Sequence, residues 1–253
     1  MSSDLREEWI EEEKNAVMIG WDFSHLEGRY EEEQDLTWDY KTIVKSYLKD
    51  HHRLLDMETG GGEFLLSLEH PFDQTTVTEN FPPNVAYCKE HLAPKGIRVL
   101  DVDTEKKLPI EDESFDIVIN RHGSFLADEI RRILKPGGYF VTQQVGYLND
   151  RELIEALLPG TPIAFPEVSL EHIKRDLERA GLEVLQAREH FGSIRFFDLG
   201  ALVWFASITP WEFPGFSVES CYSRLLALHK DLPIEGRTHR LLFVVRKDQG
   251  ALE

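Results

Sequence analysis

The sequence predicts an α/β fold: a seven-stranded, mostly parallel sheet with helices on both faces, extended by an N-terminal helical segment and by a helical, aromatic insertion before the last strand. Three observations predict it. From residue 52 onward, short β-branched or apolar runs alternate with helical segments, the pattern of parallel strands joined by crossover helices. The 253 residues suit one large domain, and 42% hydrophobic with 29% charged residues excludes disordered and fibrous chains. Apolar runs stay short, Ala201 to Ala206 among the longest, far below the ~20 residues of a membrane-spanning helix.

The elements follow in order. Arg53-Leu54-Leu55-Asp56-Met57 is the first strand and runs into Glu58-Thr59-Gly60-Gly61-Gly62, with a helix from Glu63 to Leu68. Thr75 to Glu79 is a β-branched second strand. Pro82-Pro83-Asn84 opens a helix to Leu92, stopped by Pro94 and Gly96. Ile97 to Asp101 is the third strand, and Phe115 to Asn120 the fourth, after the turn Glu111 to Ser114. A helix from Phe125 to Leu134 ends in the turn Lys135-Pro136-Gly137-Gly138, which feeds the fifth strand, Tyr139 to Val145. Ser169 caps a helix with Leu170, Ile173, Leu177 and Ala180 on one face, ended by Gly181. Leu182 to Ala187 and His239 to Arg246 are the last two strands. The expected division is an acidic extension over 1–40, a core over 41–190, a lid or substrate insertion over 191–236, and the last strand with its tail over 237–253.

Forty-six acids against 28 Lys plus Arg give a formal charge of −18, the wrong sign for a protein that gains affinity by neutralising phosphates. Nucleic-acid and anionic-membrane partners are disfavoured; a small molecule is the expected partner, with the chain a monomer or a homodimer. Residues 1–35 hold twelve acids and three basic residues, a net of −9, which reads as a solvated helix face. Cys88 and Cys221 are far apart with no metal-type spacing, and the N-terminus has no apolar stretch behind a basic start; a reduced, cytoplasmic protein without a metal is expected.

The sharpest signal is Asp56-Met57-Glu58-Thr59-Gly60-Gly61-Gly62, a glycine-rich turn leaving the first strand, with Glu79 nineteen residues after Gly60 at the end of the second. Sheet topology places these at one crevice, where an acid takes ribose hydroxyls. A nicotinamide dinucleotide or S-adenosylmethionine fits that frame. Asp56 and Glu58 discriminate. Beside a pyrophosphate, like charges at 4 Å cost roughly 4 kcal/mol at an effective dielectric of 20. A cationic ammonium and sulfonium are attracted instead. The third glycine of the dinucleotide fingerprint is also replaced, by Leu65.

Over roughly residues 40–190 plus the final strand, the sequence resembles the class I S-adenosylmethionine-dependent methyltransferases, with their Rossmann-like sheet. The resemblance rests on the turn Glu58 to Gly62, Glu79, the stretch Asp103-Thr104-Glu105-Lys106-Lys107-Leu108-Pro109, Glu113-Ser114-Phe115-Asp116, and Leu134-Lys135-Pro136-Gly137-Gly138, in the family's order. It implies S-adenosylmethionine as cofactor. Asp56, Glu58, Gly60, Gly61 and Gly62 would lie at the methionine half, Glu79 at the ribose, Asp103 at the adenine amine, Thr104 beside the ring, and Asn120 at the crevice. Glu58-Thr59-Gly60 departs from the family's usual Gly-x-Gly-x-Gly, which implies weaker cofactor binding.

Asn120-Arg121-His122-Gly123 follow the fourth strand into the crevice. His122 is the best-placed titratable residue for catalysis, and reads equally as a general base or as a histidine bonded to its own loop. Arg121 suits a substrate carboxylate or an ion pair with Asp128, and Gln144 a substrate hydrogen bond. Phe191, Phe196, Phe197, Trp204, Phe205, Trp211, Phe213 and Phe216 concentrate eight of 27 aromatics in 26 residues. Leu199, Leu202, Val203 and Phe205 suggest an apolar helix face, and Pro210 to Phe216 a rigid loop. The favoured reading is a lid in which Trp211, with Trp38 and Tyr40, touches substrate; a dock for the N-terminal segment and a dimer surface are the alternatives. The expected function is methyl transfer to a small or medium organic molecule. Its rivals are an RNA- or protein-directed methyltransferase, a cofactor-binding protein without transfer, and a nicotinamide oxidoreductase.

Overall fold

A computed structural model of the chain describes residues 2–17 and 23–249, so parts of the expected 1–40 extension and 237–253 tail lie outside the described residues. Eight strands form one sheet: β1 (Tyr30–Glu32), β2 (Leu54–Met57), β3 (Thr75–Glu79), β4 (Arg98–Asp101), β5 (Phe115–Arg121), β6 (Leu134–Val145), β7 (Leu182–Phe196) and β8 (Ile234–Lys247). Their order is β1-β7-β8-β6-β5-β2-β3-β4. The run from β6 to β4 is parallel, while β8 pairs antiparallel with β6 and β7, and β1 antiparallel with β7.

The predicted count of seven strands is corrected to eight. The extra strand is β1, whose Tyr30 pairs with Phe196 and whose Glu32 pairs with Ile194. It covers an edge that exists only because β7 continues past Ala187 to Phe196, against a β8 that starts at Ile234 rather than His239.

The helices are α1 (Ser2–Asn15), α2 (Tyr40–Tyr47), α3 (Glu63–Ser67), α4 (Pro82–His91), α5 (Ala127–Ile133), α6 (Arg151–Leu157), α7 (Leu170–Arg179), α8 (Leu199–Ile208) and α9 (Val218–Leu228). Helix α4 starts with proline in its first turn, and the Ser169 hydroxyl accepts the His172 N–H at the start of α7 (3.3 Å).

Strand residues alternate between two buried faces. Leu54, Val77, Ile117, Ile119, Leu242 and Val244 pack with Val44, Leu65 and Leu92; Leu55, Met57, Val118, Phe140, Leu241 and Phe243 pack with Ile130, Ile133 and Leu177. A third cluster joins α1, α8, α9 and the end of β7 through Trp9, Phe196, Trp204, Phe205, Phe213 and Leu225. Helix α8 is apolar on every side and accordingly buried. Asp198 caps it by accepting the Ala201 N–H (2.8 Å) and pairs with Arg29 (2.7 Å). Four of the eight clustered aromatics, Phe196, Trp204, Phe205 and Phe213, are thus core beneath the N-terminal helix.

Candidate active site

The chain leaves β2 for β3 on one side, and β5 lies on the other, so the sheet's topological switch point falls between β2 and β5. There a cleft of about 1280 Å³ opens over the carboxyl ends of the strands. Asp56, Glu58, Arg121, His122, Gln144 and Trp211, from the predicted site, all line it.

Asp56 ends in a desolvated position, 4% exposed, where Thr59 Oγ1 donates to its Oδ2 (2.6 Å). Burial pushes its pKa up to about 7; the Thr59 bond opposes this and Glu79 adds to it. Glu58 has φ 55, the left-handed region that disfavours a side chain. Its carboxylate accepts from Ser124 N (3.2 Å), Ser124 Oγ (2.9 Å) and the Thr104 hydroxyl. Gly123 is required beside it, since a Cβ there would stand 2.5 Å from Glu58 Oε2.

Gly60, Gly61 and Gly62 are buried behind the cleft wall rather than lining it. Glu79 also lies off the lining. Its Oε1 accepts from Gly60 N (2.9 Å) and Asn84 Nδ2 (3.3 Å), its Oε2 from Asn80 N (3.0 Å) and Phe81 N (3.2 Å), which occupies all four lone-pair positions. Burial raises its pKa against the pull of these donors. Asp103 is outside as well, paired with Lys106 (2.9 Å), and Thr104 is fully buried.

Asn120 is buried beneath the floor, donating to Met57 O (3.2 Å) and accepting from Gln144 Nε2 (2.6 Å). Tyr40 is a strut: its hydroxyl bonds the Asn120 and Val141 carbonyls (3.0 and 2.9 Å), tying α2 to β5 and β6. Trp38 borders a second, smaller cleft of about 640 Å³. Its indole N–H donates to Gln143 Oε1 (2.8 Å), whose amide in turn meets Nε2 of His122 (3.0 Å). The Gln143 oxygen is taken by Trp38 and its amide nitrogen only donates, so His122 Nε2 accepts and the neutral ring carries its proton on Nδ1. Burial, with Arg240 and Arg121 adding, holds the His122 pKa well below 6.5. Arg121 lies over the Phe64 ring, 5.5 Å from its centroid.

Sequence reading pointed to the Gln143-Gln144 pair but missed Ser124, and also Asn149, Glu212 and Arg240, which with the buried Asp150 behind them build a second polar region of the same cleft. Among the described residues no group of three or more His, Cys, Asp or Glu is arranged to hold a metal ion, and no helix is long and apolar enough to cross a membrane.

Residues 55–142 match the methyltransferase-domain family model. The phthiotriol/phenolphthiotriol dimycocerosates methyltransferase of Mycobacterium tuberculosis is 35% identical over 112 residues, 41% of this chain and 40% of that one. The demethylmenaquinone methyltransferase of Thermus thermophilus is 29% identical over 117 residues, 42% of this chain and 53% of that one. The chain thus spans about half the length, or less, of these curated relatives. Among solved structures, a candidate methyltransferase from Bacillus halodurans superposes with a TM-score of 0.55 at 15% identity, covering 83% of this chain and 99% of that one. Residues 55–142 thus match a methyltransferase domain, and the chain around them has the sheet order and fold of the solved candidate methyltransferase it superposes on.

Proposed function

We propose that the protein binds S-adenosylmethionine and transfers its methyl group to a small or medium organic molecule. The observation that carries this reading is the pair of carboxylates, Asp56 and Glu58, at the switch-point wall of a cleft large enough for cofactor and acceptor together. A buried carboxyl whose pKa is lifted to about 7 gains from a positive ligand, and a pyrophosphate would meet repulsion from both.

When bound, the cofactor supplies an electrophilic methyl carbon on a sulfonium. Asp56 and Glu58 would hold its positive charges, and Gly60 to Gly62, behind that wall, would let the chain turn close to it. Glu79 would take the ribose if its bond from Gly60 N gave way to hydroxyl donors, and Asp103 and Thr104 would lie on the adenine side. Alignment of the nucleophile supplies much of the rate effect, effective molarities being equivalent to roughly 7–11 kcal/mol. His122, with Nε2 engaged by Gln143, presents a donor rather than a base to the acceptor. Trp211 and the apolar cleft rim exclude water from the methyl donor. Cys88 and Cys221 are buried free thiols, which supports a reducing, cytoplasmic setting.

One observation favours a second reading, cofactor binding without transfer: His122, the titratable group placed for catalysis, is held neutral with its Nε2 engaged by Gln143. Incubation with methyl-labelled donor and a panel of amines, phenols and quinols separates the two. Label in at least one product is expected; a donor that binds while no label moves to any acceptor favours the second reading.

A further inference from the structure

Away from Asp56 and Glu58, the cleft wall carries a second set of charges that the transfer reaction does not use. Glu32 and Glu33 come from β1, Asn149 and Asp150 precede α6, Glu212 follows α8, and Arg240 lies on β8. All but Asp150 line the cleft. Arg240, 3% exposed, is paired with Glu32 (2.6 Å) and with Glu33, and donates to Asn149 Oδ1 (2.5 Å). Its guanidinium is committed to the two β1 carboxylates. Of the further cations on the wall, Arg151 pairs with Glu155 (3.1 Å) and Arg121 lies over the Phe64 ring.

Asp150 and Glu212 have no ion pair at contact distance, and Arg240 acts on both only from further away. A single amide group serves both: Asn149 Nδ2 donates to Asp150 Oδ2 (2.8 Å) and to both Glu212 oxygens (3.2 Å). Asp150 is fully buried, and its Oδ1 has no hydrogen-bond partner. A buried carboxylate oxygen without a donor is costly unless a ligand or a proton completes it. Burial and the neighbouring Glu212 raise the pKa of Asp150, and burial that of Glu212, so Asp150 tends to hold a proton that it shares with Glu212 until a cation compensates the pair. Four carboxylates at this wall face two guanidiniums, Arg240 and, acting on Glu32, Arg121, so acids outnumber cations and an anion is disfavoured.

The rim of the same cleft is apolar. Leu126, Ile163, Phe165 and Trp211 line it with 38–46% of their surface exposed. An isolated exposed apolar side chain needs no explanation, but four around one opening form a patch suited to an apolar body.

Resting on the methyltransferase reading, we infer that the acceptor is an amphipathic amine: its positively charged nitrogen sits against Glu212, backed by Asp150, and its apolar body lies along Leu126, Ile163, Phe165 and Trp211.

The test is calorimetric titration of the whole chain with three probes of one shape, 2-phenylethylamine, 2-phenylethanol and phenylacetate. The expected result is amine binding at least tenfold tighter than alcohol binding, with phenylacetate weakest. Glu212→Gln should abolish the amine preference and leave S-adenosylhomocysteine binding unchanged. Equal binding of amine and alcohol, tighter binding of phenylacetate, or an amine preference untouched by Glu212→Gln overturns the inference. If the variant does not fold, the comparison on the native chain decides alone. Magnesium and calcium titrated in place of the amine should give no heat; saturable binding of either would assign the carboxylates to a metal instead. Because S-adenosylhomocysteine is titrated separately, failure of the amine site is distinguishable from failure of the cofactor site.

Discussion

The side-chain amide of Gln143 donates to Nε2 of His122 at 3.0 Å, and this bond decides which imidazole nitrogen carries the proton. Trp38 fixes the amide's orientation by donating to its oxygen. A residue chosen from the sequence as a base is thereby held neutral, with its lone pair occupied. The expectation is that His122 stays uncharged well below pH 6.5 as the Nδ1–H tautomer. In Gln143→Glu, a carboxylate replaces the amide and should raise the His122 pKa. Long-range ¹H–¹⁵N spectra of the imidazole check both, and a native His122 titrating near 6.5 would contradict the relay.

Asp56 trades stability for binding. Its folded pKa of about 7 lies above the ordinary value of 3.8, so between those values the unfolded chain releases a proton that the folded chain retains. Asp56 therefore costs stability as pH rises from about 4 to 7, and the full penalty persists above 7. Asp56→Asn should stabilise the ligand-free protein at pH 8 by roughly 2–4 kcal/mol, with little effect at pH 4, while weakening cofactor binding. Denaturant melts of both proteins at pH 5 and pH 8 measure it. Equal midpoint differences at the two values would remove Asp56 as the cause.

Glu79→Gln should weaken cofactor affinity by about 1.5–3 kcal/mol, because a carboxylate that accepts ribose hydroxyls is lost. Asp112→Ala, which removes an exposed partner of Arg132, should leave affinity unchanged. Calorimetry with S-adenosylhomocysteine compares them. Indistinguishable affinities would end the ribose assignment.

Trp9 and Trp211 should separate stability from turnover. Trp9 is 1% exposed between α8 and α9, so Trp9→Ala should cost about 3–5 kcal/mol. Trp211, 39% exposed at the cleft rim, should cost little stability but lower turnover at unchanged cofactor affinity. A Trp211→Ala protein with native turnover would move the acceptor away from this wall.

The five parallel strands were legible because each is a short apolar run bounded by turn residues, and the helix after Ser169 because its cap and apolar spacing are local. Strand β1 was not legible. Tyr30-Glu31-Glu32 has little β preference of its own, and it pairs because β7 runs to Phe196 and Arg240 draws in Glu32 and Glu33 from some 207 positions away. The same acids read in the sequence as a solvated face. Phe205 was legible as core from the apolar face it shares with Leu199, Leu202 and Val203, but an all-round apolar helix does not reveal what covers it; here α1 does. At the site, Asp56, Glu58 and His122 were readable from strand-end positions. The Asn149–Asp150–Glu212–Arg240 network joins distant segments, and only the fold brings them together.

The central claim is that the carboxylate-lined wall at Asp56 and Glu58 receives a cationic methyl donor. The direct measurement is calorimetric titration of the whole chain with S-adenosylmethionine, S-adenosylhomocysteine and NADH at pH 7.5. Saturable one-to-one binding of the first two, tighter for the cationic donor than a Glu58→Ala variant gives, with no heat from NADH, is the predicted result. Binding of NADH with neither sulfur compound bound would contradict the account.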